Sequence, residues 1–577
     1  MPVLTLVLLV ASAGLLCFLL LTGLGLLAQE LLRLEPGPLE AFITGWGIFI
    51  GVLELYHLFR PIDSFVSGVA IALALLGLAL QRQKLRRTFG RLRARHITGV
   101  AFSALLIFLI ALRSTGPCVH YDTGLYGASA IDWLTSYRVV PGLANLHGRL
   151  GFNSSVFFCI AVLQALHLGA ISYRVWDGLL LAVVSVLSIN AITRILVRER
   201  NRPSDGFLAV LAIPLISYVG YSQLVGADTD LPATLACFLA GLLLLRDLES
   251  EDEPAASRQT TLVAGTFISA IAVLTKFSTI VFAGACCVLC VWRLYSLRRT
   301  AEHNHRAMYG CFVLLASLFG GGICTNYVES GYPLYPNDFL GLHADWAVPR
   351  SSVRLLAAII KSWARVPFVA RYKTAGWRWV NVWIIYARQE RIPFWAPLIA
   401  VGVATSLLML MARKSKRSAL DFWPILLSCA VSVAAWFYLA PDLRFVQGPV
   451  WVLAATLGGL VISEMSLKHW HQIDRVAVVA ILALTIYYSY PHVLWQQFNE
   501  PMQARNGDQL FPSITYGTYR TRSGLLVQVP LHGDQCWDAP LPCTPYFNDK
   551  LELRDPPSLR SGFRSADFVE LQWLPYR

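Results

Sequence analysis

Apolar runs long enough to cross a bilayer recur along the whole chain, and they constrain its fold more than any single motif. A transmembrane helix needs about 20 mostly apolar residues to cross the hydrocarbon core. Candidate spans cover 3–28, 39–59, 64–80, 97–112, 175–196, 206–224, 231–245, 262–275, 278–292, 308–324, 393–411, 420–439, 446–462 and 476–490, fourteen in all. Only 14% of the 577 residues are charged, against about 25% in soluble domains. The strict apolar–polar alternation of a membrane β-barrel is absent. The expected fold is an all-α polytopic membrane protein of about 14 spans. The first run lacks the basic flank of a signal peptide, so it is expected to stay as a helix.

The net charge of +13 does not point to nucleic acid, because the basic residues sit in short clusters between apolar runs. The clusters are Arg82 to Arg95, Arg194 to Arg202, Arg293 to Arg306, and Arg413 to Arg417. This is the positive-inside pattern of membrane orientation. One further apolar run, 156–169, decides the topology. If it spans, every later basic cluster is inverted. If 153–168 is instead an interfacial helix, all four clusters are cytoplasmic and Asp122, Asp228, Asp230 and Asp442 all lie outside. A short re-entrant hairpin is the alternative. The expected organisation is 1–96 as N-terminal helices with a basic loop, 97–490 as a transmembrane core with outer loops 113–152 and 329–391, and 491–577 as a small outer region.

Most of the twelve cysteines lie in apolar runs, where they read as packing residues; Cys286, Cys287 and Cys290 are of this kind. Cys536 and Cys543 lie in the polar tail, where a disulfide is expected if that tail is outside.

The polar words that could carry chemistry all fall at the ends of spans. His120-Tyr121-Asp122-Thr123-Gly124-Leu125-Tyr126 is the densest, and it runs on to Asn145-Leu146-His147-Gly148-Arg149. Asp122 reads either as a helix cap or as a general base or metal ligand at the mouth of a cavity. Asp228 and Asp230, two apart, read as helix caps or as a pair turned on one cation or sugar. Lys276, between two apolar runs, reads as a snorkelling lysine or a phosphate contact. Arg444 could clamp a phosphate, with Asp442 holding it, or the two could form a plain ion pair. Gly331-Tyr332-Pro333-Leu334-Tyr335-Pro336 suggests a rigid aromatic rim over a cavity. No nucleotide-binding motif is present, so a transferred group would arrive on a carrier in or beside the bilayer.

This layout, with an acid early in the first outer loop, a second at the next outer turn and cations at later turns, resembles the GT-C superfamily of membrane glycosyltransferases. Several words, among them 120–126, 145–149, 331–336 and the 536–543 segment, also resemble a bacterial family of large membrane proteins found beside envelope-polysaccharide genes. The GT-C resemblance covers roughly 97–465. It implies transfer of a sugar from a polyprenyl-phosphate donor to a hydroxyl of a glycan or lipid acceptor, in the bacterial inner membrane with the site facing outward. Asp122 matches the first-loop acid and is the expected catalytic base. Asp228 or Asp230 matches the second acid, and Lys276 and Arg444 match the groups that hold the carrier phosphate. His120, Tyr121, His147 and Arg149 complete the expected substrate-binding set. Many GT-C members carry two adjacent acids in the first loop, and Asp122 has no acidic neighbour. That favours a simple base and an inverting displacement; a divalent metal is compatible but not required. Two other readings, a transporter or flippase of lipid-linked glycans and a non-catalytic membrane scaffold, also fit an apolar chain with polar ends.

Overall fold

The computed structural model describes residues 3–35, 37–83, 97–196, 202–221, 224–250, 253–299, 304–367, 376–389, 394–411, 419–464 and 510–565. Among these, the chain is mostly helical. The helices are α1 (Val3–Leu31), α2 (Pro38–His57), α3 (Ser64–Leu80), α4 (Ile97–Arg113), α5 (Ala128–Ser136), α6 (Ser155–Ala165), α7 (Trp176–Leu196), α8 (Pro203–Tyr221) and α9 (Asp230–Glu249). They continue as α10 (Ala255–Thr275), α11 (Ile280–Ser296), α12 (His305–Ser330), α13 (Arg350–Arg365), α14 (Trp379–Ala387), α15 (Ala396–Met411), α16 (Trp423–Leu439) and α17 (Gln447–Glu464).

Eight segments among the described residues are long and apolar enough to cross a membrane: α1, α2, α8, α9 and α12, and α7, α11 and α16 together with the short turns that lead into them. The protein is a membrane-embedded helical bundle. Helices also cover the expected spans at α3, α4, α10, α15 and α17, and the run 476–490 lies outside the described residues. Leu15, Leu16 and Leu75 are more than half exposed, as side chains facing lipid tails would be.

Lipid offers no hydrophobic drive for helix pairing, so close approach of backbones has to supply it through van der Waals contact. The α1–α2 crossing shows this. A Cβ at Gly25 would fall 1.7 Å from the Ala41 carbonyl oxygen, and one at Gly45 1.8 Å from that of Leu21. At the bundle end where α7, α9 and α11 finish, Asp247 takes both Arg258, at 2.9 Å, and Arg293. The Asp247 carboxylate there is fully buried. Arg194 pairs with Asp205 and Arg202 with Glu253 at the same end. The described members of two expected cytoplasmic clusters therefore share one end of the bundle, and the acids of the polar words lie at the other.

The helix expected to lie along the interface is α6, and here the expectation is corrected. Eleven residues span about 16 Å, too short to cross. Yet Val156, Phe158, Ile160 and Ala161 are wholly buried on all sides. α6 is a core element packed between α2, α5, α10 and the turn at Gly169–Arg174 that leads into α7, not a half-exposed one. Apolar residues on every side of a helix mark burial, and that pattern is present in 156–163.

Residues 510–565 form a small β unit. β1 (Tyr516–Arg520) and β2 (Leu526–Pro530) pair antiparallel, as do β3 (Glu552–Leu553) and β4 (Phe563–Arg564). A disulfide joins Cys536 and Cys543, as their spacing in the tail suggested. The unit caps the site end: Phe563 N donates to Pro141 O at 2.9 Å, and the Trp133 and Phe563 rings meet edge to face.

Candidate functional site

The chain leaves α4 through a turn at 114–116, reaches His120 without regular structure, and then passes through a π-helical segment, Thr123–Gly127, before α5. π turns are rare and common at functional sites, because the wider turn redirects side chains. This one turns Tyr126 inward, where its ring packs edge to face on Phe152 and Phe157. Asp122 precedes the turn, and its carboxylate makes no cap to it. It accepts instead from Arg149, 3.1 Å away, whose guanidinium also lies 5.8 Å from the centre of the Tyr126 ring. The capping reading of Asp122 is thereby set aside.

Thr123 links this turn to the next polar word. Its hydroxyl accepts from Ala227 N at 2.8 Å and lies 2.9 Å from His120 Nδ1. Thr123 N also donates to that Nδ1. An Nδ1 that accepts leaves the proton of a neutral imidazole on Nε2, and Nε2 faces Asp228 Oδ1 at 3.5 Å.

Asp228 and Asp230 divide the two roles left open for them. Asp228 caps α9, accepting from the amides of Asp230 and Leu231 at 2.8 and 3.2 Å. Asp230 turns the other way, onto Lys276 and onto Arg444, the latter at 3.5 Å. The pair does not converge on one cation. Lys276 sits at the end of α10 with its ammonium 4.9 Å from the Phe445 ring centre, so it is paired rather than snorkelling free. Arg444 also pairs with Asp442 at 3.0 Å. Burial disfavours the Arg444 charge, and Asp442 and Asp230 more than offset it, holding its pKa above the usual guanidinium value.

One environment therefore holds four acids, Asp122, Asp228, Asp230 and Asp442, and three cations, Arg149, Lys276 and Arg444. The Tyr126 hydroxyl feels Asp122, Arg149, Asp230 and Asp228, and burial above all keeps it protonated. A cleft beside Asp230, Lys276 and Arg444 runs between small residues, Ala233, Cys237, Gly448 and Pro449 among them. Among the described residues, no three His, Cys, Asp or Glu side chains stand close enough together to hold a metal ion.

The remaining expected residues lie above this cluster, against the cap. Tyr121 donates its hydroxyl to Asp534. His147 is buried against the Tyr546 ring, and burial together with Arg149 lowers its pKa to about 3, so it is neutral. The expected rim of Tyr332 and Tyr335 is corrected: both are buried, the Tyr335 ring under the Gly148–Gly151 turn that carries Arg149 and the Tyr332 ring against Gly341, with its hydroxyl donating to Val348 O. They support the site and present no face to a sugar.

Tyr126, Asp534, Trp537 and Tyr546 do not stand out in the sequence, and Thr123 does so only as a possible helix cap. Thr123 and Tyr126 lie inside the polar word already chosen, but nothing in it distinguishes an inward side chain from an outward one. The tail residues carry no signal beyond the cysteine spacing.

A family model described as a domain of unknown function (DUF8201) matches residues 7–451. No curated protein and no solved structure matches the chain.

Proposed function

For this chain, which belongs to the DUF8201 family, we propose a membrane glycosyltransferase of the GT-C kind, moving a sugar from a polyprenyl-phosphate donor to a hydroxyl acceptor. The observation that carries the reading is the pairing of Asp122 with Arg149 beside a second group of cations, Lys276 and Arg444, at one end of a membrane bundle. Asp122 removes the proton of the acceptor hydroxyl. The acceptor oxygen forms its bond to the anomeric carbon as the bond from that carbon to the phosphate oxygen breaks. The electron pair leaves with the phosphate, where Lys276 and Arg444 offset the growing charge. A single direct displacement inverts the anomeric centre.

Both cations are already engaged by Asp230 and Asp442, so a phosphate has to displace Asp230 to reach them. The neighbouring cleft, lined by Ala233, Cys237, Gly448 and Pro449, marks the side of that approach and has to widen to admit it. The site faces outward from the bacterial plasma membrane in this reading, and the basic clusters at the opposite end are cytoplasmic. The product belongs to an envelope glycan.

The test uses the purified protein in lipid with radiolabelled polyprenyl-phosphate sugars. Wild type releases free polyprenyl phosphate, and Asp122→Asn does not. Equal release by both would remove Asp122 from the role. No release by either, with donor bound, would support a carrier or scaffold.

A further inference from the structure

We propose that Trp537, in the disulfide-closed loop of the C-terminal cap, is a positioning residue that sets the Asp122 turn from outside the helical bundle. The inference rests on the catalytic reading of Asp122 only for its kinetic consequence; its structural part stands without it.

Residues 534–537 grip the turn on both sides of Asp122. Ahead of it, Tyr121 donates its hydroxyl to Asp534, and Gln535 Nε2 donates to Tyr121 O at 3.0 Å. After it, Trp537 N donates to Gly124 O at 2.9 Å. The indole lies against Gly124, where a Cβ would come within 2.5 Å of Trp537 Cε2. Only glycine admits the ring so close. Two of the three groups gripped, Tyr121 O and Gly124 O, are peptide carbonyls, so the cap acts on the backbone course there. Asp122 has no cap of its own to fix it.

A second observation points the same way. Trp537 has φ +45°, the left-handed region that bulky side chains rarely adopt. Strain of this kind persists where surrounding structure over-determines it. Here the surroundings are the Cys536–Cys543 disulfide on one side and Gly124 on the other. The indole is 3% exposed although it sits in a surface loop.

The grip extends to the second acid. The Trp537 ring packs on Phe511 with centroids 5.4 Å apart, and Phe511 on Tyr173 at 5.0 Å. The Tyr173 carbonyl accepts from Gly226 N at 2.9 Å, two residues before Asp228. One side chain of the cap thus bears on both turns that carry the acids. The cap lies beyond the residues that the family model matches, 7–451.

The experiment compares full-length wild type, Trp537→Ala, Trp537→Phe and Cys536→Ser in lipid by amide hydrogen exchange, and with the same polyprenyl-phosphate sugar donor by turnover. Trp537→Ala is expected to raise exchange of amides 123–128 at least tenfold and leave 233–245 within twofold. Trp537→Phe, which keeps a ring in place, is expected to restore exchange to within threefold of wild type, and Cys536→Ser to fall between them. Turnover by Trp537→Ala is expected to show kcat reduced at least tenfold with donor KM within twofold, because the donor side lies at Lys276 and Arg444. Unchanged exchange at 123–128 in Trp537→Ala would overturn the proposal, as would a loss carried by KM alone. Absence of turnover in wild type would count against the transferase reading, and exchange would then decide the positioning role by itself.

Discussion

The hydroxyl of Thr123 accepts a hydrogen bond from the backbone N–H of Ala227, 2.8 Å away and 104 residues later in the chain. Two polar turns at the ends of different helices are thereby one structural unit. The same hydroxyl reaches His120 Nδ1, and His120 reaches Asp228. Thr123→Val keeps the shape and removes this link, leaving the Ala227 N–H buried without a partner. The expected cost is about 1–3 kcal/mol, read as a lowered unfolding temperature in lipid or detergent. Thr123→Ser keeps the oxygen and should recover most of it. Equal stability of valine and serine variants would show that the link does not hold the turns together.

Asp122→Asn removes the proposed base while its amide oxygen can still accept from Arg149. Loss of a general base slows such reactions by about 10²- to 10⁴-fold. The expected result is a fall in kcat of that size with donor affinity little changed, measured as release of polyprenyl phosphate and as donor binding. Lys276→Met should do the opposite, weakening donor binding first.

Asp247 supplies a stability prediction independent of any function. Its carboxylate is fully buried and serves Arg258 and Arg293 together. Removing one partner of a buried ion pair costs about 3–5 kcal/mol, since the remaining charge keeps its desolvation penalty. Asp247→Ala should therefore sharply lower thermal stability or yield, by a larger margin than Asp338→Ala, whose partners Arg350 and Arg354 are mostly exposed. Similar behaviour of the two variants would be inconsistent with a buried triad.

Docking of the cap should weaken as pH rises. Asp132 is partly buried, and burial first, then the charge of Asp538 in the disulfide loop, raises its pKa from 3.8 to about 7. When the cap lifts, Asp132 regains a value near 3.8, so the docked state binds the proton more tightly. Docking is strongest below about pH 4, weakens as pH rises towards 7, and is level above it. Amide exchange across 514–530 should be faster at pH 8 than at pH 5.5, after correction for intrinsic rates. Asp132→Asn should erase the difference; if the difference survives, another group controls docking.

Much of this arrangement is legible from residue order alone. Apolar length locates the helices, because a bilayer core demands it of any spanning segment. The charged words fall at helix ends for the same reason, and connected helices bring Asp122, Asp230, Lys276 and Arg444 to one end of the bundle. What sequence leaves open is direction. Asp228 and Asp230 are two residues apart in an irregular turn, and only the start of α9 decides that one caps and the other faces Lys276. Apolar content located α6 but misread its setting, since lipid and protein interior both accept Phe158 and Ile160. The grip of Trp537 on Gly124 is invisible for a different reason: it joins residues more than four hundred apart through a peptide N–H, which every residue but proline carries.

The cap also imposes an order on biosynthesis. The Asp122 turn is synthesised early, and the groups that bracket it, Asp534 and Gln535, follow 413 and 414 residues after Tyr121. Until those residues have left the ribosome, crossed to the same side as the turn and closed their disulfide, the site stands open on one flank. A nascent chain, or one truncated before the cap, would carry every charged group of the cluster without the hydrogen bonds that Asp534, Gln535 and Trp537 make to the turn.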